Sequence, residues 1–408
     1  MALLHAHRRI DLPLDNETAN LIQPHNPHLT GAVTYLEEIG LLSTSSGAAK
    51  ANSRITQVQA KQPLKANIFE SSTAGPTIAV LDVTAHGWRL AMSGLDAQPV
   101  LNHMDELPAT PSQLVEKLIE HLHKQVQKLE NHLIAIVIAT PSTVTRDFVA
   151  HTMIRGFEEV DFSPLVRTFS DVPVLLENNA TLAGHLEAEL TRFDAPHSHV
   201  VVYLHLGDTI TGSLIVNGTT ISGSTGTAGE FGHVPYGDSI APCDCGARGC
   251  WSTSTNGHAL AELLHQDRPQ DPEAYLQKAI KDSWYESQNY VPSGNSYSTD
   301  TANTTHIDAA RALQEIGKRF AKGVAGLSNA LAPDTIILAG LAPQLQRATS
   351  HAFDKTYNEA LMNARRSAPA QIRYAQAGPD AVLRGGALYI LDHVVTPQFV
   401  LEWQDQTD

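Results

Sequence analysis

Eight consecutive residues, CDCGARGC at 243–250, contain every cysteine of this chain. Cys243, Cys245 and Cys250 are soft ligands close enough in sequence to converge on one ion, and a tetrahedral zinc needs a fourth partner. Gly246 and Gly249 lie inside the run, and glycine tolerates the φ values that a tight ligand turn demands. Two histidines compete for the remaining corner. His233, ten residues before Cys243 in GEFGHVPYGDSIAPCDCG, leaves enough chain to close a loop. His258, downstream in STNGHALAELL, falls where a helix should start. A disulfide framework fits poorly: an odd number of cysteines leaves one thiol over, and Cys243 and Cys245 are too near for a relaxed bridge. Four protein ligands leave no open position, so the expected zinc is structural and holds a loop without doing catalysis. The plainer alternative is a reduced thiol cluster without metal.

The elements that must position this cluster follow from length and pattern. At 408 residues the chain exceeds one ordinary core and should divide into two or three domains. With 42% hydrophobic and 17% charged residues it reads as globular. No apolar run is long enough to span a membrane. MALLHAHRRIDLP places Arg8 and Arg9 after its apolar stretch, the wrong order for a signal peptide, so a cytoplasmic location is expected. A formal net charge of −15 argues against non-specific polyanion binding by the whole molecule, though a small DNA-binding domain could sit within that average.

Residues 1–57 read as such a domain, a winged helix-turn-helix. In LTGAVTYLEEIGLLS, Leu29, Val33, Leu36 and Ile39 recur at helical spacing before Gly40 stops the stripe. Two short strands around a Gly/Ser-rich tip follow in GLLSTSSGAAKANSRITQV. Asn26, His28, Thr30 and Thr34, with Lys50 and Arg54 from the wing, are the candidate contacts to bases and phosphates. The recognition helix carries no Lys or Arg, which leaves open a domain that only packs. Residues 58–73 are a linker, 74–182 a first α/β lobe, 183–370 a second lobe with the zinc loop, and 371–408 a C-terminal helix returning to the first lobe. TIAVLDVTAHGWRLAMSGL reads strand, turn, strand, and HLIAIVIATPSTV reads as a buried strand ending in a Pro/Ser turn. VPVLLENNATLAGHLEAEL is a strand running into a helix, and SHVVVYLHLGDTITGSLIVNGTTI is two strands joined by a loop.

These stretches resemble the ROK family of repressors, open reading frames and sugar kinases. The most specific match is GEFGH at 229–233 followed by CDCGARGC; GSTGTAGEFGH, LLENNATLAG, IATPSTV and LAPDTIILAG widen it to nearly the whole chain. The resemblance implies a two-lobed actin/hexokinase-like α/β ATPase fold preceded by a small, apparently shortened winged helix, and it selects His233 as the fourth zinc ligand. It also implies an interlobe cleft where Asn178, Asn179, Glu230, His233 and the residue at Ser252 face a sugar.

The chain departs from the kinase pattern where phosphoryl transfer happens. The first phosphate loop, Asp-x-Gly-Gly-Thr in the family, is here Asp82, Val83, Thr84, Ala85, His86. Both glycines that admit phosphate to the backbone are gone. The second loop reads GDTITGS at 207–213, with Asp208 adding negative charge where phosphates would lie. LAG at 338–340 replaces Leu-Gly-Gly in the adenosine region. Asn179 stands at the position of the catalytic aspartate, and an amide cannot take the proton of a sugar hydroxyl. Ser252 replaces a glutamate that would accept two hydroxyl protons. The expected function is a non-catalytic transcriptional regulator that binds an operator through its winged helix as a homodimer or homotetramer and senses a carbohydrate-like effector. The alternatives are an ATP-dependent sugar kinase and a scaffold that binds neither DNA nor sugar.

Overall fold

The computed structural model describes residues 76–395 and 399, apart from 129–131, 145–146, 153–155, 195–197, 237–239 and 290–300. The expected winged helix and linker lie outside the described residues. The chain divides into two compact units. Among the described residues, one comprises 76–140, Val160–Leu176 and 386–395; the other comprises Pro141–Glu159 and Glu177–Gly385.

The first unit is built on a five-stranded sheet of order β3-β2-β1-β4-β8. Strand β1 (Thr77–Val83) pairs antiparallel with β2 (Gly87–Ser93), which pairs antiparallel with the edge strand β3 (Val100–Glu106). On its other side β1 runs parallel to β4 (Leu133–Thr140), all eight residues of which are buried, as a strand with covered faces requires. Helix α1 (Pro111–Val126) starts where Thr110 accepts a hydrogen bond from the Gln113 N–H and Pro111 opens the first turn. It buries Leu114, Val115, Leu118 and Leu122, one stripe at helical spacing. The chain then enters the second unit, where two short strands, β5 (Ser142–Val144) and β6 (Val149–Thr152), form an antiparallel hairpin. After β7 (Glu159–Asp161) and helix α2 (Ser163–Thr168), strand β8 (Val174–Asn178) runs straight into helix α3 (Asn179–Asp194).

The second unit holds a five-stranded sheet of order β11-β10-β9-β12-β13. Strands β9 (Val200–Leu206) and β10 (Ile210–Val216) make the expected hairpin, extended by β11 (Thr219–Thr220). Strand β12 (Thr335–Gly340) runs parallel to β9 and to β13 (Gln371–Tyr374). The sheet is buried on both faces, and the side chains alternate accordingly. Val201, Tyr203, Ile215, Ile337 and Ala339 face Ala180, Ala183 and Ala188 of α3. Val202, Leu204, Leu206, Ile336 and Leu338 face the other way, into the larger core. That core is assembled from α4 (Gly257–Leu263), α5 (Pro272–Asn289), the 31-residue α6 (Thr301–Leu331), α7 (Ala342–Ala348) and α8 (Ser350–Ala360). Ile316, Phe320 and Val324 form the inward stripe of α6. A short α9 (Asn363–Arg366) leads to β13, and α10 (Ala381–His393) closes the described chain. Among the described residues, no helix is long and apolar enough to cross a membrane.

Candidate metal centre and phosphate loops

His233, Cys243, Cys245 and Cys250 come together in the second unit, with one ligand atom from each lying within 4.8 Å of all the others. His233 ends a 3-10 turn, Phe231–His233, and its Nδ1 lies 3.5 Å from Cys243 Sγ. Cys245 Sγ and Cys250 Sγ are 3.7 Å apart. Backbone bonds draw the loop tight: Cys243 N–H donates to the Ala247 carbonyl at 3.0 Å, and Gly246 N–H donates to the Cys243 carbonyl at 3.0 Å. Gly246 and Gly249 adopt φ of +87° and +71°, the left-handed region that the ligand spacing anticipates. His258 lies instead in the first turn of α4, after Asn256 caps that helix through the Ala259 N–H.

The donor set fits a structural zinc: three thiols and one imidazole nitrogen converge. Without a cation the thiols oppose each other's ionisation. Burial, reinforced by the neighbouring thiols of Cys243 and Cys245, pushes the Cys250 thiol up to about 12, and burial raises Cys243 as well. Zinc bound by these four residues would supply a crosslink between the turn at 231–233 and the loop at 243–250. Trp251, next in the chain, anchors the corner in the core. It stacks on Phe320 at 5.5 Å between centroids, and its Nε1 donates to the Arg319 carbonyl at 3.2 Å.

Glu230 stands beside this centre. Its Oε2 lies 3.8 Å from His233 Nε2, and its Oε1 accepts a hydrogen bond from Thr143 Oγ1 at 3.2 Å. Asn178 is held from two sides: its Oδ1 accepts from Ala180 N–H at 2.7 Å, starting α3, and its Nδ2 donates to the Ser142 carbonyl at 3.0 Å. Asn179 is the first residue of α3. Ser252 is buried, and its Oγ accepts from the Ile210 N–H at 2.8 Å, so this hydroxyl braces the backbone of β10. Asn26, His28, Thr30, Thr34, Lys50 and Arg54 lie outside the described residues.

Both sequence stretches that correspond to phosphate loops are engaged by the protein's own side chains. In the first unit Thr84 and Gly87 close the β1–β2 turn: Thr84 N–H and Oγ1 both donate to the Gly87 carbonyl, at 2.8 and 3.0 Å. Asp82 is 1% exposed, and Arg89, its cross-strand partner, places Nε at 3.0 Å and Nη2 at 2.5 Å from Oδ2. In the second unit Asp208 Oδ1 accepts from the Glu273 N–H at 2.8 Å in the first turn of α5. A helix N-terminus attracts anions, and here a carboxylate of the same chain occupies it. The Asp208 carbonyl also accepts from Asn256 Nδ2 at 3.2 Å, which ties the loop to the start of α4. Sequence reasoning left Thr143, Arg89 and Asn256 without roles. Only Arg89 had a signal to offer, a cation seven residues after Asp82 across a predicted hairpin.

The model of the ROK family matches residues 78–393, most of the chain and all of the corner just described. The chain belongs to the ROK family. A glucokinase from Halalkalibacterium halodurans is 26% identical over 270 residues, covering 64% of this chain and 76% of its own. A xylose repressor from Bacillus subtilis is 24% identical over 233 residues, 57% of this chain and 54%, about half, of its own length. Among solved structures, a ROK family transcriptional regulator homologous to the Escherichia coli Mlc protein superposes with a TM-score of 0.62 at 12% identity, covering 99% of both chains. At that identity the likeness is one of fold, and the fold is the actin/hexokinase-like α/β architecture of the ROK proteins. The family thus includes both regulators and sugar kinases among this chain's relatives.

Proposed function

We propose that this ROK protein is a sugar-responsive transcriptional regulator that does not transfer phosphate. The observation that carries the reading is the Asp208 carboxylate on the first turn of α5, in the loop that would otherwise meet nucleotide phosphates. Three further features support it: Asn179 at the base position, the Asp82–Arg89 pair, and the loss of both glycines after Asp82. Residues 1–57 would bind an operator, through Asn26, His28, Thr30, Thr34, Lys50 and Arg54, and a homodimer or homotetramer would present two such domains to a palindromic site. Asn178, Asn179 and Glu230 would hold the hydroxyls of a sugar or sugar derivative, and His233 would act through the metal-held loop, with zinc at His233, Cys243, Cys245 and Cys250 fixing the segment that carries Glu230. Ser252 would contribute through the backbone of β10 more than through direct contact, because its hydroxyl is buried.

Thermal unfolding of the full-length, zinc-loaded protein tests the effector half of this reading, because a ligand of the folded state raises apparent stability by mass action. The panel is D-xylose, D-glucose, N-acetyl-D-mannosamine, their phosphates, and ATP with magnesium. Stabilisation by a sugar and none by ATP is the expected result. Stabilisation by ATP would favour the second reading, a sugar kinase, which the 26% identity to a glucokinase keeps in view. No response to any sugar, joined to failure to enrich any DNA sequence at low salt, would favour a scaffold.

A further inference from the structure

Thr143 lies far in sequence from the metal ligands, yet it touches the group beside them. It sits in the middle of β5, fixed on both sides. Ser142 offers its carbonyl to Asn178 Nδ2 at 3.0 Å, and Thr143 and Val144 pair with His151 and Ala150 of β6. The turn before Glu230 comes in against this strand, so that a Cβ on Gly226 would lie 2.9 Å from the Val144 carbonyl. From that fixed position Thr143 Oγ1 reaches Glu230 Oε1 at 3.2 Å, which leaves Oε2 facing His233 Nε2 at 3.8 Å. The other ring nitrogen, Nδ1, faces Cys243 Sγ at 3.5 Å.

A neutral imidazole has one bare nitrogen and one N–H, and only the bare nitrogen can ligate a metal. The cysteines lie on the Nδ1 side, so the proton belongs on Nε2, which faces the Glu230 carboxylate. At 3.8 Å the pair stands beyond hydrogen-bond length, so the bond requires a shift of either side chain. We propose that Thr143 and Glu230 form the outer shell of the metal centre: the Thr143 hydroxyl holds the Glu230 carboxylate, and that carboxylate fixes His233 with Nδ1 toward the cysteines. Thr143 is thus a positioning residue, acting through Glu230. This rests on the zinc reading of the cluster and goes beyond the role of Glu230 toward an effector.

The test is zinc affinity of the full-length protein by competition with a chromophoric chelator, read beside the His233 tautomer from long-range 1H–15N NMR. Glu230→Gln should weaken zinc about tenfold to a hundredfold, the usual effect of losing an outer-shell partner. Thr143→Val, which keeps the shape and removes the hydroxyl, should weaken it about fivefold. Thr143→Ser should restore both wild-type affinity and the wild-type His233 signal, a rescue that packing alone would not give. Zinc affinities within twofold of wild type in Glu230→Gln and Thr143→Val would overturn the proposal. A wild-type protein that purifies without zinc and takes none up would overturn the zinc reading, and this proposal with it.

Discussion

Two loops of the second unit differ in where their polar groups point. The corner at 231–252 keeps four ligand side chains pointed at one another, with glycines at the two turns that need positive φ. The loop at 207–213 has turned its polar group inward: Asp208 caps α5, and Asn256 holds the Asp208 carbonyl. A corner that brings three thiols and an imidazole within 4.8 Å of one another has the donor set and spacing of a metal centre. A loop whose groups are satisfied by neighbouring helices has become part of the scaffold. The β1–β2 turn of the first unit belongs with the second kind, since Arg89 pairs with the buried Asp82 carboxylate.

The largest effect should come from emptying the corner. Structural zinc contributes about 10–16 kcal/mol of apparent binding free energy in small zinc domains, most of it felt as local folding. Cys245→Ser should therefore abolish stoichiometric zinc and open the chain between 233 and 250 to limited proteolysis. An unchanged cleavage pattern together with unchanged thermal stability would show that no metal holds this loop.

Next in size is Arg89→Ala. It leaves the carboxylate of Asp82, 1% exposed, without its cross-strand cation. Chemical denaturation should show a loss of about 3 kcal/mol, the low end for a broken buried pair because Arg89 is partly exposed. A loss under about 0.5 kcal/mol, the range of ordinary surface substitutions, would mean the pair is not what holds this turn.

Much of this comparison was legible from residue types, and the rest was not, for physical reasons. The clustered cysteines and His233 could be grouped because metal ligation restricts both ligand type and spacing. The buried strands β1, β4, β9 and β12 could be read because continuous apolar runs have few other uses. Strand β3 escaped because it is an edge strand with Asn102, His103, Asp105 and Glu106 among its residues and little burial to leave a pattern. Ser252 was legible as a departure from the family glutamate. Its bond to Ile210 N was not, because a serine looks the same in sequence whether its hydroxyl meets a ligand or a neighbouring strand. Asn178 raised the same ambiguity, and the structure has it starting α3 while also binding the Ser142 carbonyl. The inward turn of Asp208 depends on α5, whose start lies more than sixty residues away, so no local pattern could reveal it.

The smallest stability effect belongs to that loop. Asp208→Ala removes one helix-terminal acceptor and should cost about 1 kcal/mol, measured by urea unfolding. The variant should gain no affinity for ATP, because Thr84 and Ala85 still stand where the family pattern has the glycines that admit phosphate to the backbone. Tight ATP binding by Asp208→Ala would show that the carboxylate alone had closed the site.

The measurement closest to the central claim is phosphoryl transfer itself. The purified, zinc-loaded protein is assayed with ATP, magnesium and each sugar of the panel, beside Asn179→Asp and Asn179→Ala. A general base is worth about a hundredfold to ten-thousandfold, so restoring the aspartate to a site intact in every other respect would raise turnover by that factor. The account predicts no turnover above background in any of the three proteins, because Asp208 stays on the first turn of α5 and Asp82 stays paired with Arg89 whatever residue stands at 179. Turnover by the wild-type protein that Asn179→Ala abolishes would contradict it and identify the chain as a working sugar kinase.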